Sequence, residues 1–385
     1  MQNYRNGKWV DQILLQRRED GLWGNFHTLS CPVTGKNYTT EQAIRRLYYL
    51  GYTAEDEVIQ RVLKRMEQCI KGERDIDNYS EKKHDWVFFE KLMLAAWLRI
   101  FEPQNETALE VAYQWAQIVE KAFASGSYSV ADDIAAFTQW KGRKPKSGFE
   151  TGFGMFYHAA LLPGVLSPKT EDLFLDYYLS KPDGMYYIYD KPLNQLPEVF
   201  ASRKSSCYIA AIEVLFRYDL AKEKLTFVMD WINANRNENG KWDFGEKAKD
   251  GVYFPLSDRW DKTTRITDST YRIIKLFGLP CYCGHDCSKC ITYIATQTND
   301  DDLCRQSQSF YKERFGIDIP FEKFNCEGGR SKNVFELCKE CPFKKCCIEH
   351  GIDACGKCSE YPCKDISDYQ EKYVNKCNQL RNELK

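Results

Sequence analysis

Residues 16 to 26 read QRREDGLWGNF, and residues 235 to 245 read NRNENGKWDFG. Set against each other without gaps, Gln16 meets Asn235, Arg17 meets Arg236, Glu19 meets Glu238, Asp20 meets Asn239, Gly21 meets Gly240 and Trp23 meets Trp242. A third, looser copy is KPDGMYY, with Asp183, Gly184 and Tyr186. Asp-Gly and Asn-Gly mark tight turns because glycine accepts a positive φ, and the aromatic that follows is placed to fold back as an apolar anchor. Gln16 or Asn235, closing a preceding helix, would satisfy the free carbonyls there. Each full copy leads into a threonine-started pattern, TTEQAIRRLYYLG from Thr39 and TTRITDSTYRIIKLFG from Thr263. The repeated unit is therefore helix, turn, helix.

Helical signals dominate the first 280 residues. Thr39-x-x-Gln42 has the form of a capping box, and Ala43, Ile44, Leu47 and Leu50 follow at helical spacing until Gly51. Thr53 is expected to cap the next helix, with Val58, Ile59, Val62, Leu63 and Met66 as its apolar stripe and Gly72 as its end. Further helices are expected over 84 to 101, 106 to 124, 130 to 141, 150 to 162, 168 to 179, 198 to 217, 220 to 234 and 264 to 277. Ser129 and Asp132 read as a helix cap with an acid in the first turn.

A chain of 385 residues is long enough for two domains, and 43% hydrophobic with 14% aromatic residues describes a globular protein with a large core or an aromatic-lined cavity. Net charge is −1, so no basic region is available to bind nucleic acid electrostatically. The first residues, MQNYRNGKWVDQ, lack an apolar signal-peptide core, and the longest apolar run, Leu92 to Leu98, is too short to span a bilayer. The expectation is a soluble, cytoplasmic protein without a membrane span.

Of the seventeen cysteines only Cys31, Cys69 and Cys207 precede residue 281. Without an export signal, thiols clustered at C-x2-C spacing read as metal ligands, and the domain boundary is expected at Gly278-Leu279-Pro280: residues 1–280, then a Cys-rich metal-binding domain over 281–385.

The repeated turn resembles the QW-type repeat of the terpenoid cyclase and protein prenyltransferase superfamily, over about residues 8 to 279. That resemblance implies an all-α fold, an alpha/alpha toroid with inner helices around a lumen. The reactions of those families are not matched. No D-x-D-D or D-D-x-x-D occurs, and the stretch corresponding to a zinc-ligating D-x-Y-H is Asp268-Ser269-Thr270-Tyr271-Arg272, without histidine. Candidates for the lumen are His84, Asp85, Trp86 and Trp97 in HDWVFFEKLMLAAW, and Glu150, Tyr157 and His158 in GFETGFGMFYHAALL. His158 also reads as a hydrogen-bonded core residue and Asp85 as a helix start. FPLSDRWDKTTRITDSTYR is densest in functional side chains, with Asp258, Arg259, Trp260, Asp261, Arg265, Asp268, Tyr271 and Arg272. Asp261, Asp268 and His158 are the catalytic candidates. Asp85, Trp86, Tyr157, Trp260 and Tyr271 are the expected pocket.

Beyond residue 280 the spacings are C-x3-C-x2-C (Cys283, Cys287, Cys290), then C-x2-C-x4-C twice (Cys338, Cys341, Cys346; Cys355, Cys358, Cys363). Two cysteines separated by two residues can present both thiolates to one ion from a single turn, and two such pairs complete a tetrahedral sulfur site. The tail resembles a small prokaryotic family of unknown function with the signature Y-C-G-x-x-C-x-x-C, C-x-G-C, C-x-x-C-x4-C and C-x-x-C-x-x-Y-P-C. One element departs from it: Cys326-Glu327-Gly328 is followed by Gly329 where that pattern has a second cysteine. His285, His350, Cys347 and Cys304 are the expected substitutes, with Cys281 and Cys377 outside the set. The expected ligands are Cys283, Cys287, Cys290, Cys326, Cys338, Cys341, Cys346, Cys355, Cys358 and Cys363, holding zinc, with an iron–sulfur cluster as the alternative. A radical-SAM assignment for Cys283-x3-Cys287-x2-Cys290 fails because too little chain follows for its barrel. Phe310, Tyr311, Phe315, Ile317, Phe335 and Leu337 are the expected apolar core of the tail.

The functional expectation is a toroid protein that binds, with or without transforming it, an apolar or amphiphilic small molecule in an aromatic-lined lumen, with a zinc-stabilised tail. The alternatives are a non-catalytic adaptor whose metal-bound tail docks a protein partner, and an iron–sulfur protein.

Overall fold

The computed structural model describes residues 4–28, 31–33, 35–77, 85–146, 150–352, 354–369 and 371. His84 and Cys377 lie outside these residues. The described chain is all-α: helices and short 3-10 turns are joined by loops, with isolated bridges but no strand. None of its helices is long and apolar enough to cross a membrane. It forms two compact units. One takes in Asn3–Ala234 and Asp243–Asp268, the other Asn235–Trp242 and the chain from Ser269 on, so the division falls within the helix Lys262–Phe277.

In the first unit the capping box forms as expected. Thr39 starts the helix Thr40–Tyr49, accepting the Gln42 N–H while Gln42 reaches back to the Thr39 N–H. The next helix, Glu57–Ile70, begins later than Thr53 suggests. Asp56 holds the N-cap position and accepts the Thr53 N–H at 2.7 Å, so Thr53 opens a preceding turn instead. Asp85, Asn105, Ser129 and Ser167 accept first-turn N–H groups of Trp86–Phe101, Glu106–Ala122, Val130–Lys141 and Pro168–Ser180. The helix expected over 150–162 is shorter, Phe156–Leu161, because Gly152 and Phe153 sit at positive φ and break the helical path before it.

Two kinds of helix alternate. Glu57–Ile70 buries one stripe, Val58, Ile59, Val62, Leu63 and Met66, against Trp86–Phe101. Thr40–Tyr49 and Phe156–Leu161, by contrast, bury nearly every side chain, charged ones included. Such residues need partners. Arg46 donates to the carbonyls of Val252 (3.0 Å) and Pro255, and Arg99 to those of Leu161 (3.2 Å) and Pro163. Buried guanidinium groups thus tie the loops to the helices. Trp86–Phe101 packs on Phe156–Leu161, which packs on Arg203–Leu215, and the Tyr49 hydroxyl donates to Glu213 of that last helix at 2.6 Å.

The repeated turns form at each glycine, with φ of 87° at Gly21, 73° at Gly240 and 62° at Gly184. At Gly184 an added side-chain carbon would stand 2.4 Å from the carbonyl oxygens of Tyr189 and Lys191, so only glycine fits. Trp23 is buried, with its indole N–H on the Ile13 carbonyl at 2.6 Å and its backbone N–H on the Thr40 hydroxyl at 3.0 Å. Gln16 accepts the Tyr38 N–H at 2.9 Å, so it anchors the following segment, not the carbonyls of the preceding helix.

The second unit holds the helices Ile291–Thr298 and Asp301–Phe315, packed together through the buried Thr292 and Ser307 hydroxyls at 2.8 Å. Trp242 belongs here. It is buried under the Arg236 guanidinium and donates its backbone N–H to the Thr270 hydroxyl at 3.1 Å. Among the described residues two small apolar clusters include cysteines. One joins Cys283, Phe343, Cys347, Cys355 and Ile366, and the other Ile319, Phe324, Cys326 and Phe335. Leu337, expected inside, is exposed.

Candidate functional site

Glu41 is the second residue of Thr40–Tyr49, where the positive end of the helix dipole favours a carboxylate, and its side chain is fully buried. One oxygen accepts the Trp97 indole N–H at 2.6 Å and the Tyr157 hydroxyl at 2.7 Å. The other faces His27 Nδ1 at 3.0 Å. His27, part-buried, also lies 3.1 Å from the Tyr157 oxygen. Around the imidazole stand four aromatic rings: Phe89 at 5.2 Å, Tyr187 at 5.8 Å, Tyr157 at 6.1 Å and Trp86 at 6.2 Å. Burial and the adjacent Glu41 carboxylate push the Tyr157 hydroxyl far above its ordinary range, so it stays a donor.

Tyr187 carries a second signal. Its φ is 79°, the left-handed region that a bulky side chain avoids at a cost of about 1–3 kcal/mol. The segment is held there by the Tyr186 N–H on the Gly154 carbonyl (2.9 Å) and by Tyr186's own carbonyl, which accepts the Phe156 N–H (3.2 Å).

Of the expected pocket, Trp86 and Tyr157 meet around His27. Asp85, next to Trp86, starts its helix and pairs with Arg143 at 2.8 Å, while Arg143 also binds Glu150. Trp260 packs on Phe254 and gives its indole N–H to the Glu246 carbonyl. Tyr271 falls in the second unit. Asp261 accepts the Thr264 N–H at 3.0 Å, starting the helix Lys262–Phe277. Asp268 is buried and takes the N–H groups of Leu256 and Ser257 and the Ser257 hydroxyl at 2.5–2.9 Å, so its oxygens pin a loop. His158 is buried against Trp115, with no hydrogen-bond partner for either ring nitrogen among the described residues. Burial pushes it down to about 3, so the expected hydrogen-bonded core histidine is instead a neutral, unpartnered one. Sequence reading missed His27, Glu41, Phe89 and Tyr187. Glu41 offered no distinguishing signal, because an acid in the first turn of an amphipathic helix reads as a partner of the helix dipole.

In the tail, the two C-x2-C elements Cys287 to Cys290 and Cys355 to Cys358 are the same 3-10 turn, each closed by an N–H to carbonyl bond of 3.0 Å between its cysteines. The structure sorts the expected ligands into groups. Cys283 joins Cys347 and Cys355, whose sulfurs are 3.7 Å apart. Cys287 accepts the Gly329 N–H at 3.3 Å. Cys338 lies within electrostatic reach of Cys326, Cys290, Cys281 and Cys341, and Cys346 of Cys358 and Cys363. Cys346 Sγ is also 3.7 Å from His350 Nδ1. Soft thiols crowded in this way match the donor chemistry of a thiophilic ion. Among the described residues, no three histidine, cysteine or acidic side chains converge on a point that could hold one. The Cys283 thiol beside it lowers the Cys281 thiol, but Cys287 and burial outweigh that and hold it up at about 12, and burial with Cys347 beside it pushes Cys355 up to about 12 as well.

Residues 279–368 match a family described as a protein of unknown function, DUF3795. This covers the cysteine-rich part of the chain alone. No curated protein and no solved structure matches the sequence.

Proposed function

We propose that the first unit is an alpha/alpha toroid that holds an apolar or amphiphilic small molecule beside His27 and Glu41, and that the tail is a zinc-stabilised module. The toroid reading is supported by the order of the fully buried helices. Glu41 and Trp97 link Thr40–Tyr49 to Trp86–Phe101, the packing continues through Phe156–Leu161 to Arg203–Leu215, and the Tyr49–Glu213 bond returns to the start. One-faced helices such as Glu57–Ile70 would form the outer layer.

The observation that carries the ligand site is the buried Glu41 carboxylate with Tyr157, Trp97 and His27 on it, beneath the rings of Trp86, Phe89 and Tyr187. Rings bury the apolar body of a ligand, and a few convergent polar groups fix its head. His27 Nδ1, 3.0 Å from Glu41 and 3.1 Å from the Tyr157 oxygen, adds an imidazole to the polar groups that would fix that head. Any transformation of the ligand would use the imidazole for proton transfer, with Glu41 positioning it. The test is solvent extraction of the purified chain followed by mass spectrometry. A stoichiometric amphiphile in wild type that is absent from a His27→Ala, Phe89→Ala double variant supports the reading, and equal recovery from both refutes it.

Zinc is proposed for the tail because paired C-x2-C turns are its usual structural signature. Elemental analysis decides between zinc and iron, and a visible charge-transfer absorbance would assign the same thiols to an iron–sulfur cluster.

A further inference from the structure

A side-chain carbon built on Gly329 would stand 2.9 Å from Cys281 Cβ, 3.4 Å from Cys287 Sγ and 3.9 Å from Cys281 Sγ. Gly329 is not among the positive-φ glycines, so its backbone does not require glycine. What requires it is space, and Cys281 fills that space. The Cys281 sulfur lies 3.1 Å from Cys283 Sγ, and it shares with Cys287 Sγ the space where a residue-329 side chain would begin. A donor already faces the group: the Gly329 N–H points at Cys287 Sγ. An N–H donor stabilises thiolate charge once the thiol has lost its proton.

We propose that Cys281 is a metal ligand, bound to the same thiophilic cation as Cys287, and that it fills the coordination position which the glycine at 329 leaves without a side chain. The inference rests on the reading of the tail as a metal-binding module and reverses the expectation that Cys281 lies outside the ligand set. On binding, the Cys281 and Cys287 thiols each release a proton to solvent and each sulfur gives a lone pair to the cation. No oxidation is involved.

The experiment uses the full chain, purified from zinc-replete culture, with metal content by elemental analysis and free thiols by titration. Cys281→Ser should carry one bound ion fewer per chain and expose additional reactive thiols. Cys31→Ser, a thiol of the first unit, should match wild type. Cys281→Ala combined with Gly329→Cys should recover the lost ion, because the two changes exchange which residue supplies the sulfur to one space. If Cys281→Ser fails to fold, this double variant alone decides: metal regained supports the assignment, and metal still missing overturns it. Wild type and Cys281→Ser holding equal metal overturns the Cys281 assignment while leaving the metal module intact. A wild-type chain without metal overturns both.

Discussion

The Tyr157 hydroxyl donates to the Glu41 carboxylate at 2.7 Å, joining the second residue of one buried helix to the second residue of another. The same oxygen takes the Trp97 indole N–H. Glu41→Leu would leave both donors without an acceptor, at about 1–3 kcal/mol each. Urea denaturation should show a loss of about 3–5 kcal/mol for Glu41→Leu. Glu41→Gln, which keeps the shared acceptor oxygen, should lose clearly less. Equal losses would mean that the carboxyl group only fills volume.

Trp23 and Trp242 each occupy a buried place after a glycine turn and each give the backbone N–H to a threonine hydroxyl, Thr40 at 3.0 Å and Thr270 at 3.1 Å. Trp→Ala at either should cost about 3–5 kcal/mol in the unit that contains it. Thr40→Val and Thr270→Val should have matching smaller effects. One neutral and one severe tryptophan change would show that the repeat is an accident of sequence.

His158 sets a pH dependence. Its folded value is held down at about 3 by burial, against an ordinary 6.5, so protonation favours the unfolded chain. The contribution is complete above the unfolded value and is lost as pH falls from 6.5 towards 3, with a slope of up to about 1.4 kcal/mol per pH unit. Between pH 6.5 and 5, before most carboxylates titrate, wild type should therefore lose stability faster than His158→Phe. The variant should also gain about 1–3 kcal/mol at neutral pH from removing unpaired buried nitrogens. Parallel pH profiles would contradict this.

If the tail is metal-stabilised as proposed, a chelator should act on that unit alone, because cysteines are part of its apolar clusters and their ligation would supply folding energy. A strong chelator should abolish hydrogen-exchange protection in Ile291–Thr298 and Asp301–Phe315 while leaving Trp86–Phe101 and Glu106–Ala122 protected. Unchanged protection in the tail would show that its fold does not rest on metal.

Helices were legible where a local cap stated them, as at Thr39, Asp85 and Ser129. They were misread at Thr53 and before Phe156, where Asp56 and two positive-φ residues decide matters by backbone geometry that composition does not display. Trp86 and Tyr157 could be chosen as aromatic candidates. Glu41 could not, because an acid in a first turn reads as a dipole partner, and its contact with Tyr157 spans 116 positions. In the tail, spacing exposed the paired turns, but the close approach of Cys281 to Gly329 is a packing contact across 48 positions. No spacing rule contains it.

The most direct test of the ligand site uses the strain at Tyr187. A residue kept at φ 79° by its surroundings should be replaceable by glycine with little loss of stability, since relief of about 1–3 kcal/mol offsets the lost ring contacts. Native mass spectrometry with decanol as the probe would then compare wild type with Tyr187→Gly, alongside their melting temperatures. The account predicts a one-to-one decanol complex for wild type, little or no complex for Tyr187→Gly, and similar melting for both. A variant that binds decanol as well as wild type, or a wild type that binds none, would contradict it.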